Sequence, residues 1–269
     1  NMTNYQMYTP QRGATLLVVM MMLLILTVIG VLAIRVAMTS LNISTHTQLG
    51  QFLSQTADTP INQLYTSDLA NLVALSGVVG YALQDSNLEP GNEYIFCYRP
   101  LSREKFGASL GVSVKRPPTS NTAKATLASG GVDGFCNLGS DFGSSREAVV
   151  TQVAVKIPNE AEEGLKPGAL LSRGTNLSSG TLMPKNVVEQ QRIRITTTSV
   201  VPSFTKDLAA AQNCIGTGSG NPGYISDDTS SDTKGFETIA TCLAKLGVPV
   251  NSQTQEFNLQ TLFIQTQDP

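Results

Sequence analysis

The chain has 269 residues, a formal net charge of -2, 14% charged residues and a single histidine, His46. So small an imbalance, with no run of Lys and Arg alternating with aromatics, argues against a nucleic-acid partner. The lone histidine, a dozen residues past an apolar block near the N-terminus, also removes a Ser-His-Asp or Cys-His constellation from the rest of the chain.

That block, Ala14 to Ile34, is the first predicted element. It carries no charge and is interrupted only by Thr15, Thr27 and Gly30. As a helix it spans about 30 Å, the hydrocarbon thickness of a bilayer, and it lacks the polar face of a helix in a soluble core. A cleaved secretory signal needs a shorter apolar stretch and a small-x-small site at its outer end. Here that end reads VLAIRVAM, with Arg35 between Ala33 and Ala37. With Arg12 before the block and Arg35 after it, charge asymmetry does not orient the span.

Helical spacing continues through Ile34, Met38, Leu41, Leu49 and Phe52, which extends the helix to about Ala57. Between Arg35 and Asp58 there is no Asp, Glu, Lys or Arg. A helix alone in water carries charges on its outer face, so this stretch is suited to packing among neighbours. Asp58, Thr59 and Pro60 predict a kink or restart, with Pro60 at a first helical position and a second helix over Asn62 to Leu83. Strands are predicted at Glu93 to Tyr98, Ala148 to Ile157, Arg192 to Val201 and Glu256 to Gln265. Leu101 to Ser145 and Gly216 to Lys234 read as long surface loops, and Phe236 to Leu246 as a short helix stopped at Gly247. A helix followed by mainly antiparallel strands gives an α+β class, the sheet laid on the helix and the rest of the chain from 58 to 269 forming one globular part.

Cys97, Cys136, Cys214 and Cys242 all lie beyond the apolar block and include no C-x-x-C pair, so disulfides are favoured over a metal site. Three connectivities are open; the local one, Cys97 with Cys136 and Cys214 with Cys242, is the expected one. Disulfides place this part of the chain in an oxidising compartment. Gly216, Gly218, Gly220 and Gly223 resemble a dinucleotide loop only in composition, since no strand leads in and no helix starts there. Asp227, Asp228 and Asp232 offer oxygen ligands that could hold calcium, but not in the order of the twelve-residue calcium loop, and solvated turn residues are the favoured reading. No cofactor and no catalytic residue is expected.

The stretch QRGATLLVVMMMLLILTVIGVLAIRVAM, a polar leader ending in glycine followed at once by an apolar helix, resembles the class III signal peptides of type IV pilins and type II secretion pseudopilins. It is particularly similar to PilX-type minor pilins through Gln11, Gly13, Ala14, Thr27, Gly30 and Arg35. The resemblance covers about 45 residues. It implies that a prepilin peptidase cuts between Gly13 and Ala14, removing residues 1–13 and N-methylating Ala14, while the helix of residues 14–57 stays as membrane anchor and later as filament core. It also implies a pilin-like fold, a single-pass position in the bacterial inner membrane before assembly, and a place at the pilus tip or cell surface afterwards. Other minor pilins, the major pilin and a large tip adhesin are the implied partners.

Major pilins carry glutamate at the fifth mature position, where this chain has Val18. An unpaired carboxylate in hydrocarbon costs several kcal/mol, so a subunit with none above it does better without one. PilX-type and GspK-type subunits are similar in this absence, which implies a tip position and a role in priming assembly. The alternatives are a GspK-like tip pseudopilin of a type II secretion system, and a signal-anchored periplasmic enzyme or binding domain.

Overall fold

The structure, a computed structural model, describes residues 14–66, 77–100, 111–158, 188–218 and 220–262. The chain divides into two compact units, Asn1–Gln51 and Phe52–Pro269. Helix α1, Ala14–Tyr65, runs through that division.

The restart expected at Asp58 to Pro60 does not occur: α1 stays helical through Pro60 to Tyr65. Proline removes one backbone donor and crowds the preceding turn, a cost of about 3 kcal/mol in an isolated helix. Here packing outweighs it. Leu53, Ala57, Ile61 and Leu64, spaced four, four and three apart, are all buried, so a break at Pro60 would separate two halves of one buried stripe.

Of the predicted second helix, its first residues belong to α1 and its last to α2, Val78–Asp85. The intervening 67–76 lie outside the described residues, as do 101–110, 159–187 and 263–269.

Six strands form one sheet: β1 Glu93–Cys97, β2 Ser113–Arg116, β3 Thr126–Gly130, β4 Val150–Lys156, β5 Val188–Val200 and β6 Val250–Leu262. Their order is β3-β2-β1-β4-β5-β6, and every neighbouring pair is antiparallel. The α+β class with a sheet packed on the end of a long helix is therefore correct. β1, β4, β5 and β6 fall where strands were predicted, although β5 starts earlier and β6 much earlier than expected. β2 and β3 correct the reading of Leu101 to Ser145 as loop. The signal of β2 is the alternation Val112, Ser113, Val114, Lys115, in which the polar members are as buried as the apolar ones.

Period-two alternation gives the sheet two unlike faces. Tyr94, Phe96, Val114, Val153, Val155, Ile193 and Ile195 share one core with Ile61 and Leu64 of α1 and Val78, Val79 and Ala82 of α2. Polar contacts fix the seat of the helix: Thr197 Oγ1 donates to the Ala57 carbonyl at 2.9 Å, and Gln253 Nε2 donates to Ser54 Oγ at 2.9 Å. Tyr94 OH donates to Asp85 at 2.8 Å, tying α2 to β1, and burial together with that carboxylate pushes the Tyr94 phenol well up.

The opposite face carries two further short helices, α3 Leu208–Ile215 and α4 Ile239–Lys245. α3 was not anticipated; Asp207 caps it by accepting from the Ala210 N–H. α4 falls within the predicted Phe236 to Leu246, with a Thr238–Thr241 capping box and Gly247 at φ 71° just beyond it. Ala211, Cys214, Ile215, Ile239 and Leu243 pack with Leu138, Val150, Val200 and Val248 into a second core.

Candidate functional site

Two regions of the chain are distinctive: the surface of α1 before Gln51, and the face of the sheet turned away from the helix. On the first, Leu16, Leu17, Val18, Val19 and Met20 through Leu26 are all between 49% and 68% exposed, and the exposed apolar surface continues to Leu41. The residues point in every direction around the axis, so this helix is apolar all round and long enough to cross a membrane.

Three of its threonine hydroxyls are satisfied within the helix itself. Thr27 Oγ1 donates to the Leu24 carbonyl, Thr39 to Arg35 and Thr45 to Leu41, all at 2.8 or 2.9 Å. Such side chains leave no donor to be desolvated in an apolar setting. A Cβ at Gly30 would meet nothing within 4 Å. A glycine there costs the helix about 1 kcal/mol relative to alanine and relieves no contact with the described residues.

Ala14 is the first described residue and opens α1; Gly13 lies outside the described residues. Val18 sits one turn on, exposed.

The away face of the sheet holds a row of charges that the sequence analysis missed. Antiparallel register brings Lys115 of β2 opposite Glu93 of β1, Glu93 opposite Lys156 of β4, Lys156 opposite Arg194 of β5, and Arg194 opposite Glu256 of β6. Lys115 and Glu93 are buried to 0 and 1% exposure, Lys156 and Arg194 to 4%. With Asp227 from the loop above, three cations meet three carboxylates.

The segment Tyr224 to Ser230 is laid over this row and bonded to it. Lys115 Nζ donates to the Tyr224 carbonyl at 2.7 Å, and the Ser226 N–H donates to the Glu93 carboxylate at 3.0 Å. Arg194 donates Nη1 to Ser230 Oγ at 2.8 Å and faces Asp227 at 3.7 Å, while its Nη2 pairs with Glu256 at 2.6 Å. Burial pulls the Lys115 ammonium down to about 8, against the opposing attraction of Glu93.

This geometry resolves the acidic cluster. Asp227 is buried and accepts from Thr196 Oγ1 at 3.0 Å and from Thr229. Asp228 accepts from the Gly235 N–H at 3.1 Å, and Asp232 is exposed on a single 3-10 turn. The three carboxylates thus serve separate partners, and among the described residues no group of three His, Cys, Asp or Glu is placed to hold a metal ion. Within the predicted Gly216 to Lys234 loop, the stretch Tyr224 to Ser230 is accordingly clamped onto the sheet.

Within the glycine string, Gly216 and Gly223 are required by close packing, while Gly220 has open space around it. Gly223 takes φ 72°, and a Cβ there would meet the Ile215 and Cys214 carbonyl groups at 2.5 and 2.6 Å. Gly223→Ala is expected to cost about 2 kcal/mol or more, read as a lowered midpoint in urea unfolding at unchanged slope.

Disulfides join Cys97 to Cys136 and Cys214 to Cys242, the local pairing. The first ties the end of β1 to the loop after β3; the second ties α3 to α4. Arg99, just beyond β1, pairs with Asp141 of that loop at 2.9 Å, and Asp141 also accepts from the Asn137 N–H at 2.7 Å.

Comparisons with protein-family models, with curated proteins and with solved structures return no match for the chain.

Proposed function

We propose that the chain is a non-enzymatic minor pilin of the PilX type, acting in the tip or priming complex of a type IV pilus. One observation carries the reading: a single unbroken helix, Ala14–Tyr65, has an uncharged, largely apolar exposed surface from Ala14 to Ile34, and its last turns are seated on an antiparallel sheet with two disulfides on the chain beyond. That is the build of a subunit stored in a membrane and then packed with other helices.

The leader wording Gln11, Arg12, Gly13, Ala14 supports processing by a prepilin peptidase, and Val18 supports a position with no subunit above it. Gly30, which relieves no contact with the described residues, supports close approach by a neighbouring helix. Other minor pilins, the major pilin and a large adhesin are the partners this reading names, with the inner membrane as the site before assembly.

Mass spectrometry of the processed protein tests it. A mature chain beginning at N-methylated Ala14 is expected, and Gly13→Arg is expected to leave the leader attached and to abolish surface pili. A mature chain beginning elsewhere would defeat the proposal. Deletion of the gene is expected to remove twitching and spare type II secretion; the reverse would point to a GspK-like pseudopilin.

A further inference from the structure

The charge row contains two like charges side by side. Register sets Lys156 of β4 directly opposite Arg194 of β5, and each is only 4% exposed. Like charges so placed repel, and burial removes the water that would screen them. Arg194 is well compensated: Glu256 at 2.6 Å, Ser230 Oγ at 2.8 Å and Asp227 at 3.7 Å surround its guanidinium. Lys156 differs, since among the described residues nothing hydrogen-bonds or ion-pairs with its ammonium.

The nearby carboxylates are already engaged. Glu93, opposite Lys156 on β1, stands opposite Lys115 as well, and both its oxygens accept from the Ser226 N–H, at 3.1 and 3.0 Å. Glu256 is divided between Arg194 and Arg192, the latter at 3.4 Å. Asp228 on the overlying strap accepts from the Gly235 N–H instead. Lys115, Lys156, Arg192 and Arg194 therefore set four cations against Glu93, Asp227 and Glu256, an excess of one positive charge among the described residues of the row. A buried ammonium with neither a counter-charge nor an acceptor is among the costliest groups to place inside a protein.

We propose that Lys156 binds a small monovalent anion, of chloride size, beneath the strap Tyr224 to Ser230. The ammonium donates to the ion, whose charge balances the excess cation and offsets the repulsion between Lys156 and Arg194. Ser226 supplies a second donor. It is 3% exposed, its N–H holds Glu93 opposite Lys156, and its hydroxyl makes no hydrogen bond among the described residues. The strap lies directly on the row, with Ile225 only 1% exposed, so the site suits an ion of one or a few atoms rather than an organic phosphate.

The test is urea unfolding of the full chain in nonionic detergent at neutral pH, with sodium chloride exchanged for sodium gluconate at fixed ionic strength. An ion bound only by the folded chain raises the folding constant as its concentration rises, so going from about 20 to about 200 mM chloride is expected to raise that constant about three- to tenfold. Lys156→Met is expected to lose this dependence, and Lys206→Met, at an exposed lysine outside the row, to keep it. Equal stability of the wild type in chloride and gluconate would overturn the proposal, as would a chloride dependence that survives in Lys156→Met. Should Lys156→Met fail to fold, the chloride magnetic resonance line of the wild-type sample decides. Broadening that bromide reverses and that disappears in urea is expected, and an unbroadened line would overturn the proposal.

Discussion

Lys115→Met is expected to destabilise the globular part by about 3–5 kcal/mol, the cost of leaving one member of a buried pair alone. The methionine fills the space of the aliphatic stem, so the loss is electrostatic: Glu93, 1% exposed, faces one cation fewer, and the Tyr224 carbonyl loses its donor at 2.7 Å. Glu93→Gln is expected to cost a similar amount, because it leaves the Lys115 ammonium fully buried without its counter-charge. The double variant should cost clearly less than the sum of the two, and additivity within about 0.5 kcal/mol would show that the pair does not couple.

The same lysine gives the wild type a pH signature. Its folded value of about 8 lies below the ordinary 10.5, so between those values the unfolded chain binds the extra proton. Stability contributed by this group therefore rises as pH goes from 8 towards 10.5, by up to about 3 kcal/mol, and Lys115→Met removes that rise. Above pH 10 the buried Tyr94 and Tyr98 phenols, raised in the folded chain, act in the opposite direction. The clean window is pH 8 to 10, and urea unfolding of the two proteins across it is the measurement.

Removing the Cys214–Cys242 bridge, as the double serine variant, is expected to cost about 3–4 kcal/mol, the loop-closure value for a separation of 28 residues. The effect should be concentrated at one end of the molecule. α3 and α4 have eight and seven residues, too short to hold themselves as helices, and each depends on the buried contacts that the bridge keeps together. Hydrogen exchange should therefore accelerate at Leu208–Ile215 and Ile239–Lys245 before it does on β1 or β4. Uniform acceleration would show instead that the bridge acts only through the unfolded chain.

The parts of the fold that follow a single local signal were legible in the sequence. The apolar run of α1, the aromatic-rich β1 and the β-branched β5 each announce themselves within ten or so residues. The second core was partly legible, through the glycine stop of α4 and the local cysteine spacing. Pro60 misled because its local penalty is real, and only the buried stripe on both sides of it shows why the helix continues. β2 was hidden by its lysine: buried charges violate the hydrophobic pattern by which strands are recognised. The charge row itself belongs to no local motif. Its members come from five strands, neighbours only through register, and from the loop laid over them, so nothing along the chain brings Lys115 near Glu93 or Arg194 near Asp227.

Phe52 to Tyr65 can also be considered as a mechanical grip. Leu53, Ala57, Ile61 and Leu64 sit along one line of contact, with Thr197 and Gln253 bonded to the same stretch. Unravelling the helix from its end would free these contacts one after another, at small force. A pull along the helix axis must break them together, because the helix is continuous and transmits the load to all of them at once. The persistence of α1 through Pro60 converts a set of individually weak contacts into a joint that yields only as a unit.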